Sequence, residues 1–205
     1  MGNKYNNLTV RGAERDEIIR LLNEKGHPAF VSPSVNGFTV VWHDYLNSSG
    51  WNAETETYEH YFNVALDLSQ ELGCVVLEVL NFDDDILTYT LRDKGVEVDA
   101  YDSVNQAEYW GPYDDEVEAA AAQYEQHTGD AALLCDTLGA PHRVQELDDL
   151  LHNKEFVTEV DRHQQLVELL SLPIYAVGFD LHDIENNDLP EALTADQLTR
   201  TGLNS

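Results

Sequence analysis

Between Cys74 and Asp102 the chain reads CVVLEVLNFDDDILTYTLRDKGVEVDAYD, three β-rich runs joined by two tight turns. Cys74 to Leu80 is apolar at every position but Glu78, the pattern of a central strand covered on both faces. From Ile86 to Arg92 the pattern alternates. Leu87, Tyr89 and Leu91 share one face, with Thr88, Thr90 and Arg92 on the other, as in a half-buried antiparallel strand. After the turn at Asp93-Lys94-Gly95, Val96 to Tyr101 alternates again, which places Val96, Val98 and Ala100 inward.

The same reading upstream gives a short strand at Leu8–Val10 and a helix over Ala13–Lys25 stopped by Gly26. Ala29–Val35 is extended, with Pro33 directing it towards a sheet edge, and Asn36-Gly37 turns the chain into a strand over Phe38–Tyr45. The polar stretch Leu46–Glu59 reads as a surface loop. Helical spacing resumes from His60 to Leu72, with Tyr61, Ala65, Leu68 and Leu72 on one face. The order βαββαβββ predicts an α+β fold built on a ferredoxin-like antiparallel sheet.

That architecture leaves one sheet face bare, and the C-terminal half supplies a helical cover. Helices are predicted over Glu116–Gln126, from Asp130 to Leu138, around Val144–Leu151 and over Glu155–Leu170. Ile174–Phe179 reads as one more strand, and the tail beyond Pro190 as loosely held. The expected division is an α+β sandwich over residues 1–112 and a helical region over 113–205, packed together as one continuous unit.

Composition changes this picture in one respect. The 205 residues carry 39 acids against 11 bases, a formal net charge of −28, and between Gly26 and His142 only Arg92 and Lys94 are basic. Such a field repels phosphate, which argues against direct nucleic-acid or anionic-membrane binding; it favours encounter with a basic protein surface, or else serves only solubility or a salt-rich cytoplasm. No apolar run is long enough to span a bilayer, and MGNKYNNLTV lacks a signal-peptide core. Cys74 and Cys135 are too few for a disulfide framework, so a cytoplasmic protein with reduced thiols is expected.

The segments LGCVVLEVLNFDDDILTYTL, VDAYDS, TGDAALL, DRHQQLVELLSLP and AVGFDLHDIENNDLPE resemble a family of uncharacterised bacterial proteins. The resemblance runs from about Leu72 onward. It implies one continuous unit and assigns no residue a role.

Chemistry-bearing residues are few. Asp83, Asp84 and Asp85 place three carboxylates at a chain reversal, where a loosely bound divalent cation would relieve their repulsion; a solvated turn is the plainer reading. Their spacing is not that of an EF-hand loop. No resident cofactor is expected. His163 lies on an apolar helical stripe beside Asp161 and Arg162, where a core histidine bonded to a carboxylate or carbonyl is favoured over a general base. His43-Asp44 and Glu59-His60 flank the loop carrying Trp51 and read as surface residues. No nucleophile elbow or phosphate loop occurs in the chain.

Aromatic loops offer more. Trp51 and Tyr58 lie in one, and Tyr109, Trp110 and Tyr113 in another, followed by Asp114, Asp115 and Glu116. Rings beside acids suit the core of an interface with a basic partner, and they suit equally lids folded back over the core. The expected function is therefore a non-enzymatic acidic binding protein of inhibitor or immunity type, able to mimic nucleic-acid charge. The opposing expectation is a divalent-metal enzyme using Asp83–Asp85 and a histidine.

Overall fold

The computed structural model describes residues 2–44, 49–52, 57–60, 63–105, 109, 126–153, 155 and 158–202. Strand β1 (Tyr5–Arg11) leads into helix α1 (Arg15–Lys25), then β2 (Ala29–Val31) and β3 (Phe38–His43). A small hairpin, β4 (Ser49–Asn52) and β5 (Thr57–His60), precedes α2 (Val64–Glu71). Next comes the meander β6 (Val75–Phe82), β7 (Ile86–Asp93) and β8 (Val96–Asp102). Helices α3 (Ala131–Leu138), α4 (Val144–His152), α5 (Glu159–Leu170) and α6 (Leu181–Glu185) follow, and β9 (Thr199–Thr201) ends the order.

Seven strands form one antiparallel sheet in the order β8-β7-β6-β1-β3-β2-β9, with β4 and β5 paired apart from it. This corrects the ferredoxin-like expectation: its four-strand order does not describe a sheet that β7 and β8 continue on one side and β9 on the other. The fold class, mixed α+β, stands.

Each face of the sheet has its own cover. Leu8 and Val10 of β1, Val41 of β3 and Val76 of β6 pack against Ile18, Leu21 and Leu22 of α1 and Ala65 and Leu68 of α2. On the opposite face Val40, Trp42, Leu77, Leu87 and Leu91 meet Leu134 and Cys135 of α3, Leu147 of α4, and Leu166 and Leu170 of α5. Full burial of one such side chain is worth about 1.5–3 kcal/mol. The alternation of β1 explains how one strand serves both layers.

Local chemistry sets the element ends. Glu14 and Glu17 form a capping box at the start of α1, and Gly26 closes it at φ 70°. Asp130 caps α3 by accepting from Leu133 N–H, and Thr158 caps α5.

Several expectations change. β2 stops at Val31, two residues before Pro33, which cannot donate to a ladder. It is not an edge, because β9 pairs beyond it, with Ala29 opposite Thr201. The tail is thus held in the sheet, and Thr201 is buried. Part of the expected loop over Leu46–Glu59 forms the β4–β5 hairpin, and His60 belongs to β5 rather than to a helix. Ile174–Ala176 is a single 3-10 turn instead of a strand. Val96 and Val98 are exposed, at 61% and 37%. A bulge between Leu91 and Arg92 shifts the pairing there, and β8 is the sheet edge. The expected helix over Glu116–Gln126 lies, except for Gln126, outside the described residues.

Candidate functional site

Asp83 to Asp85 form the β6–β7 reversal. Asp83 and Asp84 both adopt left-handed backbone, φ 53° and 63°, which Asp tolerates better than most side chains. Asp84 does more than turn. Its N–H donates to Asn3 O at 3.2 Å, its carbonyl accepts from Glu159 N–H at 2.8 Å, and its carboxylate accepts from Asn81 Nδ2 at 3.4 Å. Asp85 accepts instead from the Tyr109 hydroxyl at 2.9 Å. Neighbouring carboxylates are thus spent on separate donors. Among the described residues no group of three or more His, Cys, Asp or Glu side chains is placed to hold a metal ion.

His163 is in the core, 1% exposed, but its partner is neither a carboxylate nor a carbonyl. Tyr5 of β1 bonds His163 Nδ1 at 2.7 Å, and the rings stack with centroids 5.7 Å apart. The Gly178 backbone also acts on the Tyr5 hydroxyl, and His163 is held neutral by its burial. Burial pushes the imidazole down to about 3. Beside it, Arg162 Nε donates to Glu159 Oε2 at 2.7 Å, and its other nitrogens donate to the carbonyls of Leu150, Leu151 and Asn153. The sequence Asp161-Arg162-His163 therefore anchors α5 to β1 and to the end of α4. This is a structural assignment.

Of the aromatic residues, Tyr109 is exposed, with its phenol raised above the usual range by the bond to Asp85. Trp51 and Tyr58 are register partners across the β4–β5 hairpin. Trp110, Tyr113, Asp114, Asp115 and Glu116 lie outside the described residues.

The distribution of positive charge is the feature that sequence reading missed. Arg20 pairs with Glu24, Lys25 with Asp67 and Glu71, and Arg92 with Glu78 and Glu97. Lys94 pairs with Asp93, Arg143 with Glu146, and Arg200 with Glu185. Arg15 donates to the carbonyls of Val31, Ser32 and Gln197, and Arg11 to that of Thr137. Lys4 sits over the Phe82 ring, 4.4 Å from its centroid. Every described Lys or Arg thus has a protein group against it, whereas the acids far outnumber the bases.

No family model, curated protein or solved structure matches the chain.

A cavity of about 660 Å3 opens where the α1–α2 core cluster ends. Along the strands the next positions on that face line it: Asn6 follows Leu8, His43 follows Val41, and Leu80 and Phe82 lie beyond Val76. Leu181 and His182 of α6 complete the wall, and Asp44, Asp180 and Glu185 add carboxylates. His43 is 3% exposed, with Asn6 Nδ2 3.3 Å from its Nε2, and burial holds its imidazole down at about 4. His43 is thus buried, which corrects the surface reading of His43-Asp44; the side chains of Glu59 and His60 are not among those described.

Proposed function

We propose that the protein is an acidic binding protein whose exterior engages a basic protein surface, as an inhibitor or immunity protein does. The observation that carries the reading is the internal use of positive charge. Because the described lysines and arginines already face carboxylates, carbonyls or a ring, a partner meets a surface with little positive charge to offer. Exposed pairs of this kind add little stability. Their effect is on the field: they place cations among acids and leave the remaining acids to act outward. Such a field speeds association with a cationic face and opposes association with phosphate. It also resembles the charge of nucleic acid, so the groove of a DNA-binding protein is one form the basic partner can take. Divalent cations belong to the same reading as loosely held counterions, Asp83 to Asp85 included.

The test is affinity capture at low ionic strength, followed by reconstitution with the purified partner. Affinity is expected to fall about tenfold or more between about 50 and about 200 mM salt, as several ion contacts are screened. Tyr109→Ala is expected to weaken the complex with no change in salt slope. A captured partner with an acidic contact face would overturn the proposal, as would an affinity that salt does not alter.

A further inference from the structure

We propose that the cavity bounded by β1, β3, β6 and α6 binds an organic ammonium ion, an amine carried on an apolar body. Its volume, about 660 Å3, falls in the range of small-molecule sites. Leu80, Phe82 and Leu181 give it apolar walls, and the Asn6 amide and His43 imidazole stand at its buried strand side. Three carboxylates reach it, from Asp44, Asp180 and Glu185. Glu185 is balanced by Arg200, and Asp180 also accepts from Asp183 N–H at the start of α6. Lys4 is the one lysine or arginine among the described lining residues, and the balance there stays negative.

The sign of the ligand follows from three observations. An anion would enter a chain of net charge −28 through a mouth carrying these carboxylates. His43 adds no positive charge at neutral pH. The Phe82 ring already has a primary ammonium on its face, supplied by Lys4 at 4.4 Å. An aromatic face that takes one ammonium takes another of the same chemistry, through the attraction of a cation to the ring quadrupole. An incoming amine therefore competes with Lys4 for the ring or sits between the ring and the Asp180 carboxylate, its apolar body against Leu80 and Leu181. This site is separate from the protein-binding surface proposed above and does not depend on it.

The same chemistry is available from a free amine and from a lysine side chain. Isothermal titration of the full chain with phenethylamine, 2-phenylethanol and phenylacetate tests the class, and Nα-acetyl-lysine methylamide tests the source. Saturable binding of the amine, at least about tenfold tighter than the alcohol, is expected, with no binding of the carboxylate. Phe82→Ala should weaken the amine by about three- to thirtyfold. Lys4→Met keeps the stem, removes the competing charge and should tighten it by about threefold. Leu181→Ala, at a half-buried position, gives a second reading of the wall, and thermal unfolding confirms that each variant is folded. The tighter of phenethylamine and the lysine derivative names the source. Equal binding of amine and carboxylate would overturn the proposal; so would weaker amine binding in Lys4→Met, or binding unchanged in both Phe82→Ala and Leu181→Ala.

Discussion

The two faces of the sheet are finished differently. On the C-terminal side, helices α3, α4 and α5 close a continuous core, and His163 is tied to Tyr5, Arg162 to Glu159 and three carbonyls, and the Asn7 amide nitrogen to Ala176 O. On the other side α1 and α2 cover only the stretch marked by Leu8, Val10, Val41 and Val76. Beyond it, among the described residues, Asn6, His43, Leu80 and Phe82 line a cavity. Among the described residues, one face is closed by helices and the other ends at a cavity.

Substitutions can break this contrast. The largest effect is expected from Arg162→Leu, which strands Glu159 and three carbonyls in the core and should cost about 3–5 kcal/mol in urea unfolding. Leu166→Ala should cost about 2–5 kcal/mol by leaving a cavity under α5, whereas Leu181→Ala, half-buried at the cavity wall, should cost less than about 1 kcal/mol. If the two leucine variants were equally destabilised, the cavity wall would be as tightly packed as the core under α5. Tyr5→Phe removes the hydroxyl bonded to His163 Nδ1 and should cost about 1–3 kcal/mol.

Acid sharpens the contrast next. His163 and His43 bind protons less readily folded than unfolded, so the unfolded chain takes up more protons as pH falls below about 6.5. Their contribution is complete above that value and is lost towards pH 4, at up to about 1.4 kcal/mol per pH unit for each ring. His163→Gln should flatten that part of the stability profile relative to the parent protein. An unchanged slope would mean that the ring titrates normally. The smallest effect is expected from divalent ions: Mg2+ or Ca2+ should raise the thermal midpoint gradually, without saturation, and equally in Asp84→Ala. A saturable rise lost in that variant would instead make the turn a metal site.

Much of this architecture was legible in the residue pattern, for a physical reason. The β6–β8 meander, α1 and α5 carry strong periodicity, and Asp130 and Gly26 mark helix ends by their cap chemistry. β9 was not legible, because three residues, Thr-Arg-Thr, carry too little pattern and are held by a long-range partner, β2. The exposure of Val96 and Val98 depends on the bulge and on an edge position that no local alternation encodes. Asp83 and Asp84 signalled a turn correctly, but the ties of Asp84 to Asn3 and Glu159 span distances that sequence alone does not bridge. The cavity was the least visible, since Asn6, His43 and His182 are far apart in the chain and each looks ordinary where it stands.

The proposal that the exterior meets its partner as a negative field rests on the internal use of Arg and Lys. Its most direct test is titration with decalysine and decaglutamate from about 50 to about 300 mM salt, on either side of the screening length of a few contacts. Decalysine should bind with an affinity that falls steeply and linearly on a log–log plot, and decaglutamate should not bind. Equal binding of the two peptides, or a decalysine affinity indifferent to salt, would contradict the account.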